Sequence, residues 1–171
     1  MQYFDIIVKD IADQALVRRL GYRRIFVAGK DIDVSGSLSG DPRRKMVIVS
    51  RDPGVLIRAT RERRVLGIMF EGNELIAKAM MAARENGKLV MLSTEGLSGS
   101  GTGMRLSTIY KLRRMVAELR KAHVKTVLVT MAGSREMLQS RAQMIQLARF
   151  LGAAEAQSRE MVSSLGDAYD N

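Results

Sequence analysis

The stretch MVIVSRDPGVLIRATRERRVLGIMF, residues 46–70, decides the fold. Its first run, Met46–Ser50, is apolar without polar alternation, which is typical of a strand buried on both faces of a parallel sheet. The pair Asp52-Pro53 predicts a helix over Gly54–Arg63, because aspartate caps free backbone N–H groups and proline suits the first helical position. A second apolar run, Val65–Phe70, completes a strand–helix–strand unit.

The same unit recurs along the chain. Further apolar runs predict strands at Phe4–Val8, Ile25–Ala28, Leu89–Leu92 and Thr126–Thr130, with a weaker seventh candidate at Ala153–Gln157. Helical patterns between these runs cover Asp10–Gly21, Asn73–Gly87, Met104–Ala122 and Ser134–Gly152. On the longest helix the apolar stripe consists of Leu106, Ile109, Leu112, Val116 and Leu119. Alternation of strands and helices predicts an α/β fold with a mostly parallel sheet.

Two architectures fit this alternation, an open doubly wound sheet and a closed barrel. An eight-stranded barrel normally needs about 250 residues, so a chain of 171 residues allows only a compact, incomplete one. The segment Gly29–Arg44 shows no helical pattern, which indicates that one helix of the regular repeat is missing. We expect residues 1–171 to form a single domain.

Composition restricts the function. The chain has 28 Lys and Arg against 18 Asp and Glu, a net charge of +10, which predicts attraction to polyanions. Cysteine is absent and the only histidine is His123, so thiolate metal sites and cysteine nucleophiles are excluded and most other metal chemistry is disfavoured. No apolar run approaches the roughly 18 residues of a membrane span, and the first residues lack the pattern of a signal peptide. We therefore expect a cytoplasmic, polyanion-binding protein without membrane contact.

The basic residues occur in short clusters along the sequence, which we call packets. Each packet by itself is consistent with a solvated helix face, but together they create the positive surplus. On the long helix Arg113 and Arg120, like Arg114 and Lys121, are seven residues apart, so each pair lies along one line opposite the apolar stripe and can follow the phosphates of folded RNA. The candidate RNA-binding residues are Arg43, Arg44, Lys45, Arg51, Arg105, Lys111, Arg113, Arg114, Arg120, Lys121, Arg135 and Arg141.

Two acidic residues support a rival hypothesis. Glu71 and Glu95 follow predicted strands, and in a parallel barrel the carboxyl ends of the strands carry the active site. They could serve a phosphoesterase as a carboxylate pair, or they could be ordinary turn residues. Arg51 and Arg135 fall at the same rim, so this mouth could instead bind anions. His123 is expected at the opposite end, in a helix-capping or packing role.

A glycine-rich loop, Gly96–Gly103, supports a third hypothesis. It joins a strand to the longest helix and could present N–H groups to the phosphate of a nucleotide or phosphometabolite. Its spacing is neither Gly-x-Gly-x-x-Gly nor that of a P-loop. A flexible connection is the simpler interpretation.

Several segments together resemble one family. They are Tyr3–Val8, Leu20-Gly21-Tyr22, Val47–Pro53, Arg63–Phe70, and Leu147–Gly152 followed by Ala156–Met161 as a closing helix and strand. In order and spacing these segments are similar to archaeal ribonuclease P protein component 3 and its eukaryotic relatives. The resemblance implies a compact, distorted TIM-like barrel with about seven mostly parallel strands, similar to the polymerase-and-histidinol-phosphatase hydrolases. The first strand of those hydrolases carries a His-x-His metal motif, and the matching stretch Asp5–Lys9 has no histidine.

The resemblance also implies a function. The chain would be a non-catalytic subunit of ribonuclease P, in which RNA and its Mg²⁺ ions cleave the 5′ leader from precursor tRNA and the protein itself binds no cofactor. Its implied partners are the ribonuclease P RNA, precursor tRNA and a small ferredoxin-like protein subunit. Family members often have an Arg-x-Pro-Arg-Asp-like turn before the last long helix, whereas this chain has Gln139–Gln143, which keeps only Arg141.

Overall fold

The computed structural model describes residues 4–7, 13–97 and 102–170. Strands and helices alternate along these ranges. The strands are β1 (Phe4–Ile7), β2 (Arg24–Val27), β3 (Asp33–Ser35), β4 (Met46–Ser50), β5 (Val65–Phe70), β6 (Leu89–Ser93) and β7 (Thr126–Val129). The helices are α1 (Gln14–Arg19), α2 (Pro53–Arg61), α3 (Ala77–Glu85), α4 (Thr102–Lys121), α5 (Arg141–Phe150) and α6 (Glu155–Asp170). None of the helices in these ranges is both long and apolar enough to cross a membrane.

The strands form two parallel sheets, which confirms the predicted α/β class. Strands β3-β4-β5-β6-β7 form one sheet in chain order, and β1 pairs with β2 in the other. Contacts at both edges link the two sheets. Ala28 and Ile32 form a parallel bridge between β2 and β3, and the Met131 N–H donates to the Ile6 carbonyl over 2.9 Å.

Both faces of the strands are buried, which explains the apolar runs without alternation. One cluster, which we call the outer cluster, joins strand side chains such as Ile48 and Ile68 to helices α2 to α5. The other, which we call the inner cluster, consists of side chains from β1, β2 and β4 to β7, with Ile32 and Val34 at β3 and Leu165 of α6. Because successive strand residues point to opposite faces, Val47 joins this inner cluster while Met46 and Ile48 join the outer one.

Helix α6 lies across the amino ends of the strands. Its residues Met161, Ser164 and Ala168 line the same pocket as the first residues of β5, β6 and β7. At its end the Tyr169 ring packs against Phe26 with 4.4 Å between ring centroids. The helix therefore covers one end of the inner cluster.

Two predictions about strands were wrong. The segment Ala153–Gln157 is the entry to α6, and Ala156–Met161, the supposed closing strand of the resemblance, lies within that helix. Met161, Val162 and Leu165 are buried, a helical spacing that short-range alternation does not reveal. The seventh strand is β3, inside the segment 29–44, whose three residues are too short to give an apolar run.

Helix α2 begins where its capping residues predict, but the starts predicted at Asn73 and Ser134 were wrong. Asn73 ends a 3₁₀ turn and Ser134 precedes another, and α3 and α5 begin only at Ala77 and Arg141. The Asp52 carboxylate accepts from the Gly54 N–H over 2.7 Å at the start of α2. Helix α1 is capped by Asp13, whose carboxylate accepts from the Leu16 N–H over 2.8 Å. The predicted start at Asp10 lies outside the described residues. Helix α5 begins after a Ser140–Gln143 capping box. On α4 complete burial begins only at Leu112, so the predicted stripe is wrong at Leu106, which is 63% exposed.

A buried carboxylate ties β1 to the end of β7. Asp5 is 1% exposed, and its Oδ1 accepts from the backbone N–H groups of Ile6 and Thr130, each over 2.8 Å. Its Oδ2 accepts from the Thr130 hydroxyl over 2.7 Å. Burial raises the pKa of Asp5 to about 6, against the opposing effect of these hydrogen bonds.

Candidate nucleic-acid interface

At the carboxyl ends of the strands, the predicted cations lie beside acidic residues. The Arg51 guanidinium is 3.5 Å from the Glu71 carboxylate, and the Lys111 ammonium is 3.2 Å from that of Glu74. Arg135 lies 3.9 Å from Asp13. All three pairs are solvent-exposed and contribute little to stability, but they neutralise the positive charge of this end locally.

The predicted carboxylate pair is found at this same end. Glu71 and Glu95 each begin a 3₁₀ turn, the first after β5 and the second after β6. Within residues 4–7, 13–97 and 102–170, no three His, Asp or Glu side chains come close enough together to hold a metal ion. A hydrolytic role for the pair stays a prediction, and Glu71 already has Arg51 as a neighbour.

The first part of the glycine-rich loop packs against α4. Glu95–Leu97 forms the turn after β6, and a Cβ at Gly96 would lie 3.0 Å from the Thr108 hydroxyl oxygen, so Gly96 packs closely against α4. Residues 98–101 lie outside the described residues. The phosphate-binding hypothesis for this loop stays a prediction.

Arginines hold the segment between β2 and β4 in place. The Arg44 guanidinium donates to the Gly29 carbonyl over 2.6 Å and lies 3.4 Å from the Asp33 carboxylate. The Arg64 guanidinium donates to the carbonyls of Leu38, Gly40 and Asp41. Arg44 thus has a structural role beside its predicted one, while the neighbouring Arg43 is exposed.

The predicted ridge on α4 is exposed. Arg105, Arg113, Arg114, Arg120 and Lys121 are all exposed. The Arg113 guanidinium lies 6.0 Å from the centroid of the Phe150 ring, and the Arg120 guanidinium donates to the Gly152 carbonyl over 3.2 Å. Arg113 and Arg120 therefore both face the α5 side of the helix. Arg141, on α5 itself, is exposed at the helix start.

Large apolar side chains accompany this ridge. Tyr110 is 75% exposed and Phe150 is 58% exposed, in addition to Leu106. Leu106 and Tyr110 are four residues apart on α4 and so lie on one face. We call Leu106, Tyr110 and Phe150 the apolar patch.

The amino ends of the strands carry a different arrangement. Each strand from β4 to β7 is preceded within two residues by a cation, in order Lys45, Arg63, Lys88 and Lys125. Because the amino ends of parallel strands meet at one edge of a sheet, the four cations line a single pocket of about 900 Å³. Arg120 and His123 from the end of α4 also line it, and we call it the amino-end pocket.

Positive charge dominates the amino-end pocket. Among the lining residues whose side chains the structure describes, Glu160 is the only carboxylate. In the described part of the chain no carboxylate lies within 4.0 Å of Lys45, Arg63, Lys88 or Lys125. The site therefore holds cations with no acidic side chain paired to them.

Lys88 shows the electrostatic consequence. Its ammonium donates to the Glu62 carbonyl over 2.8 Å and the Val65 carbonyl over 2.7 Å. Burial lowers the pKa of Lys88, and the positive charge of Lys45 lowers it further, while Glu62 opposes the shift. An ammonium has three donors, so one remains for a ligand.

Sequence reasoning identified only part of this pocket. Lys45 and Arg120 were among the candidate RNA-binding residues, and His123 was expected at this end, where it follows α4 in a left-handed conformation with φ of 53°. Arg63, Lys88 and Lys125 were missed. The signal that finds them is the cation shortly before each successive strand, which becomes meaningful once the strands are known to be parallel neighbours.

Comparisons with known proteins bear on the fold. No protein-family model matches the chain, and no curated protein matches its sequence. The structure is similar to a chain in the cryo-EM structure of archaeal ribonuclease P with mature tRNA, with a TM-score of 0.70 and 10% sequence identity. The similarity covers 98% of this chain and 80% of that one. At this identity it shows that the two chains share a fold.

Proposed function

We propose that the chain is a protein subunit of ribonuclease P, the complex that removes the 5′ leader from precursor tRNA. The observation that carries the proposal is the shared fold over 98% of the chain with a component of archaeal ribonuclease P bound to tRNA. The net charge of +10 supports it, because a subunit of an RNA enzyme must lie against a polyanion. The sequence resemblance to ribonuclease P protein component 3 points to the same complex.

In this proposal the subunit is non-catalytic. The RNA and its Mg²⁺ ions cleave the phosphodiester bond, and the protein, without a cofactor, stabilises the folded RNA by neutralising phosphates in the cytoplasm. The exposed α4 ridge is suited to this role, since Lys and Arg contacts to phosphates supply affinity without reading bases. The candidate residues of the carboxyl end would contribute less, because Arg51 and Lys111 already have acidic neighbours.

The proposal includes a barrel architecture. One support is the inner cluster, to which each of the seven strands contributes a side chain of its own or of a flanking residue. The other support is that contacts connect β2 to β3 and β1 to the end of β7. A compact, distorted TIM-like barrel related to metal-dependent hydrolases would have this arrangement. Asp5, buried against Thr130, occupies the first strand, where those hydrolases carry a metal-binding motif.

A protein partner belongs to the proposal as well. The apolar patch exposes three large side chains, and such patches mark protein contacts when several lie together. Arg113 beside Phe150 adds a charged group. We assign this patch to the small ferredoxin-like subunit implied by the family resemblance.

The test is purification of the tagged full-length chain from the cells that produce it, followed by an assay of 5′-leader removal from precursor tRNA. Co-purification of processing activity that ribonuclease A abolishes is the expected result. The binding of the co-purified RNA to the protein should weaken steeply with salt, with the logarithm of affinity falling linearly in the logarithm of salt concentration. Recovery of the chain without RNA and without processing activity would refute the proposal.

A further inference from the structure

We propose that the amino-end pocket binds the sugar–phosphate backbone of RNA and is a principal RNA contact of this subunit. The inference rests on the proposed function and adds to it a defined site, formed by Lys45, Arg63, Lys88, Lys125 and Arg120. This site lies at the end of the sheet opposite to the one at which parallel barrels usually carry their ligands.

Strand register brings the cations together. Lys45, Lys88 and Lys125 stand immediately before β4, β6 and β7, and Arg63 stands two residues before β5. The four strands are consecutive neighbours in one sheet, so their starts lie at successive positions spaced by about 4.8 Å. A row of cations results, and it does not depend on flexible loops for its position.

The pocket has a charge imbalance that a ligand would correct. Among the side chains that the structure describes, five Lys and Arg face one carboxylate, Glu160, across a space of about 900 Å³. Like charges held this close repel each other, and partial burial strengthens the repulsion. Burial lowers the pKa of Lys88, and repulsion from the nearby charge of Lys45 lowers it further. An anion in the pocket would convert the repulsion into attraction.

The shape and lining of the pocket indicate a backbone and not a base. None of the lining residues in the described part of the chain is Phe, Tyr or Trp, whereas proteins that hold nucleobases usually stack them on such rings. Its cations suit phosphate oxygens, and its Ser163 and Ser164 hydroxyls, which donate to the Glu160 carbonyl, can still accept from a ribose hydroxyl. Among the described lining residues, a mononucleotide would find only the His123 ring and the guanidinium groups of Arg63 and Arg120 as stacking partners, whereas the row of cations offers several phosphate contacts.

One wall supplies an acceptor as well. The Oε1 atom of Gln157 is buried and has no hydrogen-bond partner among the described residues. The terminal amide torsion of glutamine is soft, so this oxygen can turn toward the pocket and accept from a ribose hydroxyl. RNA offers both the anionic oxygens and the hydroxyl donor, while free phosphate offers chiefly the former.

The surroundings of the pocket also favour a polymer. Arg120 belongs to the pocket, and Arg113 lies seven residues earlier on the same side of α4. Seven residues of helix span about 10 Å. A strand of RNA with one phosphate in the pocket can therefore continue along the exposed ridge, which a small phosphorylated ligand cannot do.

The experiment measures the affinity of the full-length protein for the ribonuclease P RNA of the same cells, as a function of salt. The test variant is Lys45→Gln/Lys125→Gln, which removes two pocket charges at positions that donate no hydrogen bond within the described structure. The matched control is Arg58→Gln/Lys78→Gln, with the same change in net charge on the exposed faces of α2 and α3. Thermal unfolding of each variant verifies folding, and Lys125→Gln alone serves if the double variant is unstable.

We expect the test variant to bind RNA on the order of tenfold more weakly at moderate salt, because two phosphate contacts are lost. For the same reason, the slope of log affinity against log salt concentration should become shallower by about 1.5. The control should stay within about twofold of the wild type. Equal losses in both variants, or no loss in the test variant, would overturn the pocket while leaving RNA binding by the wild type intact. A wild type that binds no RNA and carries no processing activity would instead overturn the proposed function.

Calorimetry with inorganic phosphate separates the two possible sources of the anion. RNA as the ligand predicts at most weak, millimolar phosphate binding that the test variant loses together with RNA affinity. Micromolar phosphate binding that the test variant abolishes, with RNA affinity unchanged, would identify a small phosphorylated ligand and contradict the inference.

Discussion

The two ends of the parallel sheet both carry cations, but they differ in what surrounds those cations. At the carboxyl end, Arg51 and Lys111 lie beside Glu71 and Glu74. At the amino end, the cations that precede β4 to β7 have no carboxylate within 4.0 Å in the described part of the chain. The difference teaches that a basic residue becomes available to a polyanion through the absence of an acidic neighbour, and not through its position in a basic packet.

The largest expected effect concerns Asp5, which joins β1 to the carboxyl end of β7. Its pKa is about 6 in the folded protein and near 3.8 in the unfolded chain, so between these values the folded state holds more protons. The contribution of Asp5 to stability therefore decreases as pH rises from about 4 to about 6, by roughly 3 kcal/mol. Asp5→Asn removes this ionisation and should gain stability over the wild type as pH rises.

Urea unfolding of both proteins between pH 4 and 7.5 measures this difference. The free energy of unfolding of Asp5→Asn minus that of the wild type should increase through the window and become constant above it. A difference that is independent of pH would show that the carboxyl group is not held in a desolvated state between β1 and Thr130.

The second effect concerns the amino end, where β5 and β6 approach closely. A Cβ at Gly67 would lie 2.6 Å from the Leu89 carbonyl oxygen, which is closer than packing allows. Gly67→Ala must push β6, and Lys88 with it, away from β5. We expect a loss of about 1–3 kcal/mol in the free energy of unfolding, measured in urea, together with weaker RNA binding.

Gly133→Ala is the matched control for this change. A Cβ at Gly133 meets nothing within 4 Å, and its φ lies outside the left-handed region. Its stability should stay within about 0.5 kcal/mol of the wild type. Equal stability losses in the two variants would mean that the β5–β6 approach is not the constraint.

The third effect compares the two ends directly. Arg51→Gln/Lys111→Gln removes two charges from the carboxyl end, as Lys45→Gln/Lys125→Gln does from the amino end. Because Arg51 and Lys111 already have acidic neighbours, we expect about a twofold loss of RNA affinity against about a tenfold loss for the amino-end variant. A larger loss at the carboxyl end, in the same salt titration, would reverse the comparison.

The smallest effect concerns the Gln157 side chain in the wall of the amino-end pocket. Its Oε1 is buried without a partner in the described structure, so the free protein gains nothing from this oxygen. Gln157→Leu should leave stability unchanged or raise it by up to about 1 kcal/mol, as measured by thermal unfolding without RNA. A clear loss of stability would show that the amide makes a bond in the free protein.

Much of the fold could be predicted because its signals are local. The Asp52 cap, the unbroken apolar run of β4 and the completely buried β5 each follow from residues adjacent in the chain. Strand β3 was missed because three residues are too few for periodicity, and its position depends on Arg44, which holds the segment through Gly29. Helix α6 was missed because its buried residues face the ends of strands distant in sequence.

The site was less predictable than the fold. Arg63 and Arg64 are adjacent in one packet, yet Arg63 lines the amino-end pocket while Arg64 donates to three carbonyls of the segment before β4. No local pattern distinguishes the two. Burial, which lowers the pKa of Lys88 at the same edge, likewise depends on residues far away in the chain.

The sequence by itself determined the α/β class, the order of most elements and the surplus of positive charge, because these depend on periodicity, caps and composition. It also placed a cation shortly before each strand from β4 to β7. Only the tertiary structure decided which cations are paired and which are not, since Arg51 and Glu71, or Lys111 and Glu74, meet across 20 and 37 positions. The electrostatic interaction between charges depends on their distance in space, and parallel strand pairing is what sets that distance at the amino end.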